Sequence, residues 1–455
     1  MTTPPPTTPP ADPARMPTTD PTRTPPRALA PDLARGLMLA LIALANVSWH
    51  LSGRPTVAMT AHVPSVSTSD TVLRTVMTIA VDGRAYPLFA VLFGYGMVQF
   101  FRSRTARGIP ARDVRRMLRR RHWAMLLIGA LHAALLFMGD VLGAYALAGL
   151  LLVWLLFSRT DRTLVVWSWI LGGLLVLSAV FSVIGGVIVL STSSPAEAAA
   201  MADASPAGFI TRSREDTAGQ GSYLAAAAAR VVSWVPNTLA QVLGLAIPLC
   251  ILLGWLGARR GLLDRPWEHR RTLRRVAVGG VGIGWTGGLL VALADLDLVP
   301  GMESVPWMWT GLGTVTGVCC GVGYACAAGL LAARLDPLAT AAGSEQELSR
   351  PGSSPVGSVL VRSVTALGER SLTFYLLQSV LFAPLLDVWG LGLGAHLGTT
   401  AALSLALVVW LVGLPLAMLL ARGGRRGPAE VVLRRLTYGR YDPVGPRAWP
   451  AVTRP

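Results

Sequence analysis

Ten apolar runs, most about as long as a bilayer crossing, recur along the 455-residue chain. They lie near residues 33–52, 76–101, 122–138, 141–157, 164–190, 231–257, 275–294, 307–333, 363–388 and 398–420. An α-helix rises 1.5 Å per residue, so roughly 20 apolar residues cross the hydrocarbon layer. Inside lipid each backbone N–H and C=O needs a partner within the protein, and a helix supplies them within one segment. The pattern predicts an all-α, polytopic transmembrane helix bundle of about ten helices. The short third and fourth runs flank Gly139-Asp140 and read as a tight helical hairpin. The first run reads as a retained helix, since its apolar character continues beyond the signal-like Ala43-Leu44-Ala45.

Charge then orients the bundle. Only 14% of residues are charged and 52% are hydrophobic, against about a quarter charged in soluble domains. That balance excludes a disordered chain, a secreted disulfide scaffold and an ordinary soluble enzyme. The net charge of +16 does not indicate nucleic acid, because the basic residues, all arginine, sit between the apolar runs. Alternating ten helices from a cytoplasmic N-terminus places 34 of the 40 arginines on one side, as the positive-inside rule expects. Both termini are thus expected in the cytoplasm, in a multi-pass protein of the cell (inner or plasma) membrane. The lipid bilayer is the expected partner, and homo-oligomerisation is left open.

Segments 1–31 and 441–455 read as tails, the first with 11 Pro and 8 Thr and expected to be disordered. Segments 32–190 and 231–440 read as two five-helix halves joined by an extracytoplasmic loop at 191–230, with a flexible inner loop at 334–362. Cys250, Cys319, Cys320 and Cys326 lie in apolar runs without a Cys-x-x-Cys pair or a histidine set, so no metal site is expected.

The chemical candidates are few. Gly282-Ile283-Gly284-Trp285-Thr286-Gly287 matches G-x-G-x-x-G, but it lies inside an apolar run with no preceding strand, so the dinucleotide interpretation fails. Close helix packing explains it, as it explains the fourfold spacing of Gly313, Gly317, Gly321, Ala325 and Gly329. His132 lies ten residues past His122, about 15 Å deeper along a helix. An ionisable group at that depth is costly and suggests function; a general base and a structural hydrogen bond between helices carry about equal weight. Asp140 reads first as a helix N-cap; as an acid it would orient His132 or bind substrate, and since a straight helix holds the two apart, a pair needs a bend at Gly139 or another residue between them. Asp32 reads as an N-cap, Arg35 as a topology anchor, and Asp82 with Arg84 as an ion pair. Asn46, Tyr375 and Gln378 are polar groups inside the bundle that suit either helix contacts or a substrate.

Several segments together resemble the YeiB-like membrane proteins, the domain-of-unknown-function 418 family. They are Asp32-Leu33-Ala34-Arg35-Gly36 with Asn46 beyond it, Tyr86 to Gly96, Leu131 to Leu142 followed by Tyr145-Ala146, Leu367 to Ser379, and Arg426 to Tyr438. The segments run in the family's order over nearly the whole chain. Arg84 and Ala85 stand where Lys and an aromatic are usual, Phe374 where Asn is common and Val431 where Trp is common.

The resemblance implies kinship with transmembrane acyltransferases, which carry an acyl group from cytoplasmic acyl-CoA to an acceptor across the membrane. It implies acyl-CoA, in the simplest case acetyl-CoA, as donor. His132 and Asp140 would be the catalytic pair, and Arg35, Asn46, Tyr375 and Gln378 the substrate contacts. A small-metabolite transporter and a non-catalytic membrane protein are the alternatives.

Overall fold

In the computed structural model, which describes residues 28–57, 60–194, 197, 206–296, 298, 305–335 and 355–438, the apolar runs are helices, and the described residues contain no strand. Helix α1 spans Leu29–Val47, α2 Thr68–Ala80, α3 Ala85–Thr105, α4 Ala111–Leu135, α5 Leu142–Leu155 and α6 Asp161–Thr192. They are followed by α7 Pro206–Thr217, α8 Tyr223–Leu243, α9 Ala246–Arg259, α10 Arg270–Asp295 and α11 Trp309–Leu335. The last four are α12 Pro355–Glu369, α13 Ser371–Leu386, α14 Thr399–Arg422 and α15 Pro428–Tyr438. Most of both tails and of the 334–362 segment lies outside the described residues.

Six helices, or helix pairs taken as one, are long and apolar enough to cross a bilayer; α8 and α9 make a seventh if counted as one bent span. The clearest demand for lipid comes from α6. Its most apolar window is only 17% buried, and Trp169 and Phe181 stand exposed at 78% and 64%. A helix apolar on every face and uncovered by protein needs hydrocarbon around it.

Three of the apolar runs are broken helices. The 76–101 run turns at Val81–Arg84, where Gly83 takes φ +73°. The 231–257 run bends by 53° between α8 and α9, with Leu245 at φ +67°. The 363–388 run breaks at Arg370, whose guanidinium donates to the Arg425 carbonyl at 2.8 and 3.1 Å. Asp32 sits in the first turn of α1 with its carboxylate 2.7 Å from Arg35, and Ala28 occupies the N-cap position.

Packing rests on small residues, because apolar burial alone does not draw helices together in lipid. A β-carbon on Gly36 would meet the Val364 carbonyl, and one on Gly368 would meet that of Asp32, so α1 and α12 touch backbone to backbone. Gly94 of α3 and Gly254 of α9 are seated in the same way against Ile251 and Val91. The five-helix halves marked out in the sequence therefore interleave. The predicted small-residue faces are also used: Gly284 and Gly287 meet Cys320 and Thr316, while Gly317 and Gly321 pack on Gly83 and Pro87-Leu88.

Hydrogen bonds identify the two ends. At one, Arg102 donates to the Ala258 and Arg259 carbonyls, Arg259 pairs with Asp161, and Arg104 donates to Tyr438. At the other, α7 caps the bundle. Arg214 donates to the Ala61 and Arg54 carbonyls, Gly53 donates to Glu215, and Val388 donates to the Ala218 carbonyl. Burial lowers the Arg214 pKa from its ordinary value.

Candidate functional site

A cavity of about 560 Å³ opens beneath the α7 cap, within the range usual for small-molecule sites. Phe209 and Ile210 of the cap line it, together with the end of α1, the Asp82–Gly83 turn, the 137–141 segment and the bend between α8 and α9. Its lining mixes apolar side chains with the carboxamides of Asn46, Asn237 and Gln241.

Three of its residues form a chain. Helix α1 tightens into a single 3-10 turn at Ser48–His50, which places Ser48 at the cavity. The following loop folds back through a turn in which Thr60 donates to the Val57 carbonyl and Val57 to the His62 carbonyl. That return brings His62 Nδ1 to 2.9 Å from Ser48 Oγ. The other ring nitrogen, Nε2, lies 2.8 Å from the Asp82 carboxylate. Asp82 is presented by the α2–α3 break, the turn that Gly83 permits. All three residues line the cavity. The expected Asp82–Arg84 ion pair is not the arrangement found. Arg84 reaches the backbone carbonyls of Asp82 and Gly284, leaving the Asp82 carboxylate for His62.

His132 and Asp140 do meet. Helix α4 stops at Leu135 and the chain reverses, so His132 Nδ1 lies 2.8 Å from Asp140 Oδ1. The bend that a direct contact required is supplied by the end of the helix. Asp140 Oδ2 also accepts from the Gly143 amide at 2.7 Å, capping the start of α5. Tyr375, arriving from α13, donates to Asp140 Oδ1 at 3.2 Å and lies against the His132 ring at 5.2 Å between centroids, tilted by 58°. The group is fully buried and lies behind the cavity wall; Phe137, Met138, Gly139 and Val141 line the cavity, whereas His132, Asp140 and Tyr375 do not.

The remaining expected residues are dispersed. Asn46 lines the cavity. Gln378 donates to the Leu39 carbonyl at 2.9 Å and holds α13 to α1, while its Oε1 is buried without a protein partner among the described residues. Arg35 pairs with Asp32 on the α1 turn farthest from the cavity.

A second histidine pair lies on the capped side: His50 Nδ1 is 2.7 Å from Asp387, and Arg230 is 4.0 Å from the same carboxylate. Arg230 also binds the Ala134 and Leu135 carbonyls at the end of α4. Phe137 separates the two pairs, stacking on His50 at 5.2 Å and meeting His132 edge-on at 6.4 Å. Among the described residues no group of three or more His, Cys, Asp or Glu is placed to hold a metal.

Comparison with known proteins adds a family and one relative. Residues 351–440 match the family described as "Protein of unknown function (DUF418)". Within that segment Glu430 accepts from the amides of Leu372 and Thr373, so the two C-terminal resemblance segments meet in space. The "Uncharacterized protein YxaH" of Bacillus subtilis (strain 168) is 26% identical over 393 residues, covering 83% of this chain and 85% of the relative. No solved structure matches.

Proposed function

We propose, on the premise that the chain is a DUF418 family membrane protein, that it passes an acyl group from cytoplasmic acyl-CoA to a small polar acceptor. The acceptor is held in the cavity beneath α7. In this proposal the ten helical runs cross the plasma membrane, the arginine-rich end and both termini face the cytoplasm, and the cap faces outward.

The cavity is the observation that carries the proposal. It has the volume of a small-molecule site, and polar groups interrupt an otherwise apolar wall. The donor has a matching feature at the opposite end. A groove of about 380 Å³ is lined by Phe101 and Phe157 with Arg102, Arg115 and Arg259 around it. Guanidinium groups bind phosphate well, and aromatic faces suit a nucleotide base.

Helix α9 runs from one feature to the other. Ala246 and Ile247 line the cavity and Arg259 lines the groove, about 20 Å apart along the axis. The thioester arm of an acyl-CoA would have to cover that stretch. Ile251, Leu252 and Trp255 pack it closed, so transfer requires those side chains to part. His132, Asp140 and Tyr375 act here as positioning residues that set the cavity wall from Phe137 to Val141, Asn46 as a contact to the acceptor, and Arg35 and Gln378 as residues that hold α1 in place.

Equilibrium binding of radiolabelled acetyl-CoA to the detergent-purified protein tests this function. Saturable binding weakened about tenfold by Arg115→Ala is expected, equivalent to about 1.4 kcal/mol. No saturable binding removes the donor and the acyltransferase function with it.

A small-metabolite transporter is favoured by one specific feature. The cavity wall includes the break at Gly244–Leu245, and interrupted helices beside a central cavity are characteristic of transporters. Solute flux in proteoliposomes without an acyl donor would establish that alternative.

A further inference from the structure

We propose that Ser48 is a nucleophile that forms a covalent acyl-enzyme, with His62 as its base and Asp82 as the group that orients the base. The proposal deepens the acyl-transfer function and rests on it for the identity of the donor. It stands on the geometry of three side chains that no local sequence pattern joins.

A nucleophile–base–carboxylate chain needs each member within hydrogen-bond reach of the next, and it is recognised by geometry rather than by sequence position. Here the separations are 2.9 Å from Ser48 Oγ to His62 Nδ1 and 2.8 Å from His62 Nε2 to Asp82 Oδ2. A carboxylate only accepts, so Nε2 carries the proton and donates to Asp82. The Nδ1 lone pair then faces the Ser48 hydroxyl, which donates to it. That is the tautomer a general base requires. Compared with the familiar serine-hydrolase arrangement, the two ring nitrogens exchange roles while the chain of proton acceptors is the same.

The surroundings fit the assignment. The three residues come from separate stretches of chain and converge on one wall of the cavity. Ser48 and His62 are buried at 2% and 1% exposure, while the Asp82 side chain is 24% exposed. The reacting hydroxyl is thus shielded from bulk water on the protein side and faces the cavity. The carboxamides of Asn46, Asn237 and Gln241 line the same cavity and have no protein hydrogen-bond partner among the described residues. They are the N–H donors available to a developing oxyanion.

The chemistry balances with an acyl thioester or oxygen ester as donor. Ser48 Oγ attacks the acyl carbonyl carbon and its proton passes to His62 Nδ1. The carbon–sulfur or carbon–oxygen bond of the donor breaks, and the leaving thiolate or alkoxide takes that proton. An acceptor hydroxyl or amine then attacks the acyl-Ser48 ester. It gives its proton to His62, the ester bond breaks, and Ser48 recovers the proton as the acylated product leaves.

The test uses a small fluorophosphonate probe on the full-length, detergent-purified protein, with the modified peptide read by mass spectrometry. Phosphonylation at Ser48 is expected. It should be lost in Ser48→Ala and fall at least tenfold in His62→Gln, with both variants checked for an unchanged elution profile. Alkylation of Ser48→Cys by iodoacetamide reports independently whether a reagent reaches the position. If that cysteine is alkylated and wild-type Ser48 is never phosphonylated, the nucleophile is refuted and a binding cavity survives. If neither reaction occurs on folded protein, the cavity is closed to small molecules and both the nucleophile and the acceptor site fall. Equal phosphonylation in wild type and His62→Gln would also refute the relay.

Discussion

Asp140→Ala should be among the most damaging single substitutions in this bundle. The carboxylate is fully buried and accepts from His132 at 2.8 Å, from the Gly143 amide at 2.7 Å and from Tyr375 at 3.2 Å. Alanine leaves all three buried donors without their acceptor. Each such loss costs about 1–3 kcal/mol. Neighbouring losses in one network do not add in full, and Tyr375 keeps its contact with the Val141 amide. Together these place the expected loss at about 3–5 kcal/mol, in line with the removal of one partner from a buried ion pair. Asp140→Asn retains an acceptor oxygen but turns an N–H₂ toward one former donor, for an expected loss of about 1–2 kcal/mol. Unfolding free energies in bicelles, with His132→Ala and the double variant completing a cycle, measure both the loss and the coupling. A cost below about 1 kcal/mol for Asp140→Ala, or no coupling to His132, would refute the positioning role and return His132 to consideration as a catalytic group.

Two further outcomes follow from the packing and the threading. Gly36→Leu and Gly94→Leu should each abolish stable folding, since the added side chain meets backbone rather than a flexible neighbour and overpacking already costs about 1–3 kcal/mol where side chains can yield; folded yield by size-exclusion chromatography checks this. Gly221→Cys, in an exposed turn between α7 and α8, should react in intact cells with a membrane-impermeant maleimide, whereas labelling only after lysis would reverse the proposed orientation.

Much of the scaffold was legible because lipid imposes a single strong rule. Each apolar run became a helix or a broken helix. The break at Leu245 was not visible, since hydropathy is continuous through it, and the charged residues at Asp82–Arg84 and Glu369–Arg370 do not by themselves mark where a helix stops. The site was harder. His132 and Asp140 were singled out by depth and type, yet their contact depended on where α4 ends. Asp140 and Tyr375 are 235 residues apart, a separation that no local pattern bridges. Ser48 and His62 escaped attention for a different reason. Serine at a helix end and histidine in a polar loop are ordinary singly, and only the folding back of the 51–67 segment joins them. Asp82 was assigned to the nearer arginine because sequence proximity suggested it, whereas the arginine found carbonyls instead.

The bond from Gln378 to the Leu39 carbonyl spans 339 residues and bears on how the protein is made. The segment forming α1 leaves the ribosome long before α12 and α13, the elements it finally lies against. At about 5–20 residues per second, that delay is roughly 15–70 s. Throughout it the face of α1 at Asp32 and Gly36, which finally packs on Gly368 and Val364, must be accommodated by lipid, by provisional neighbours or by the insertion machinery. Biogenesis is therefore a late-closing process, in which the opening span is held in reserve until translation is nearly finished, and a chain truncated before residue 355 would leave it without its seat.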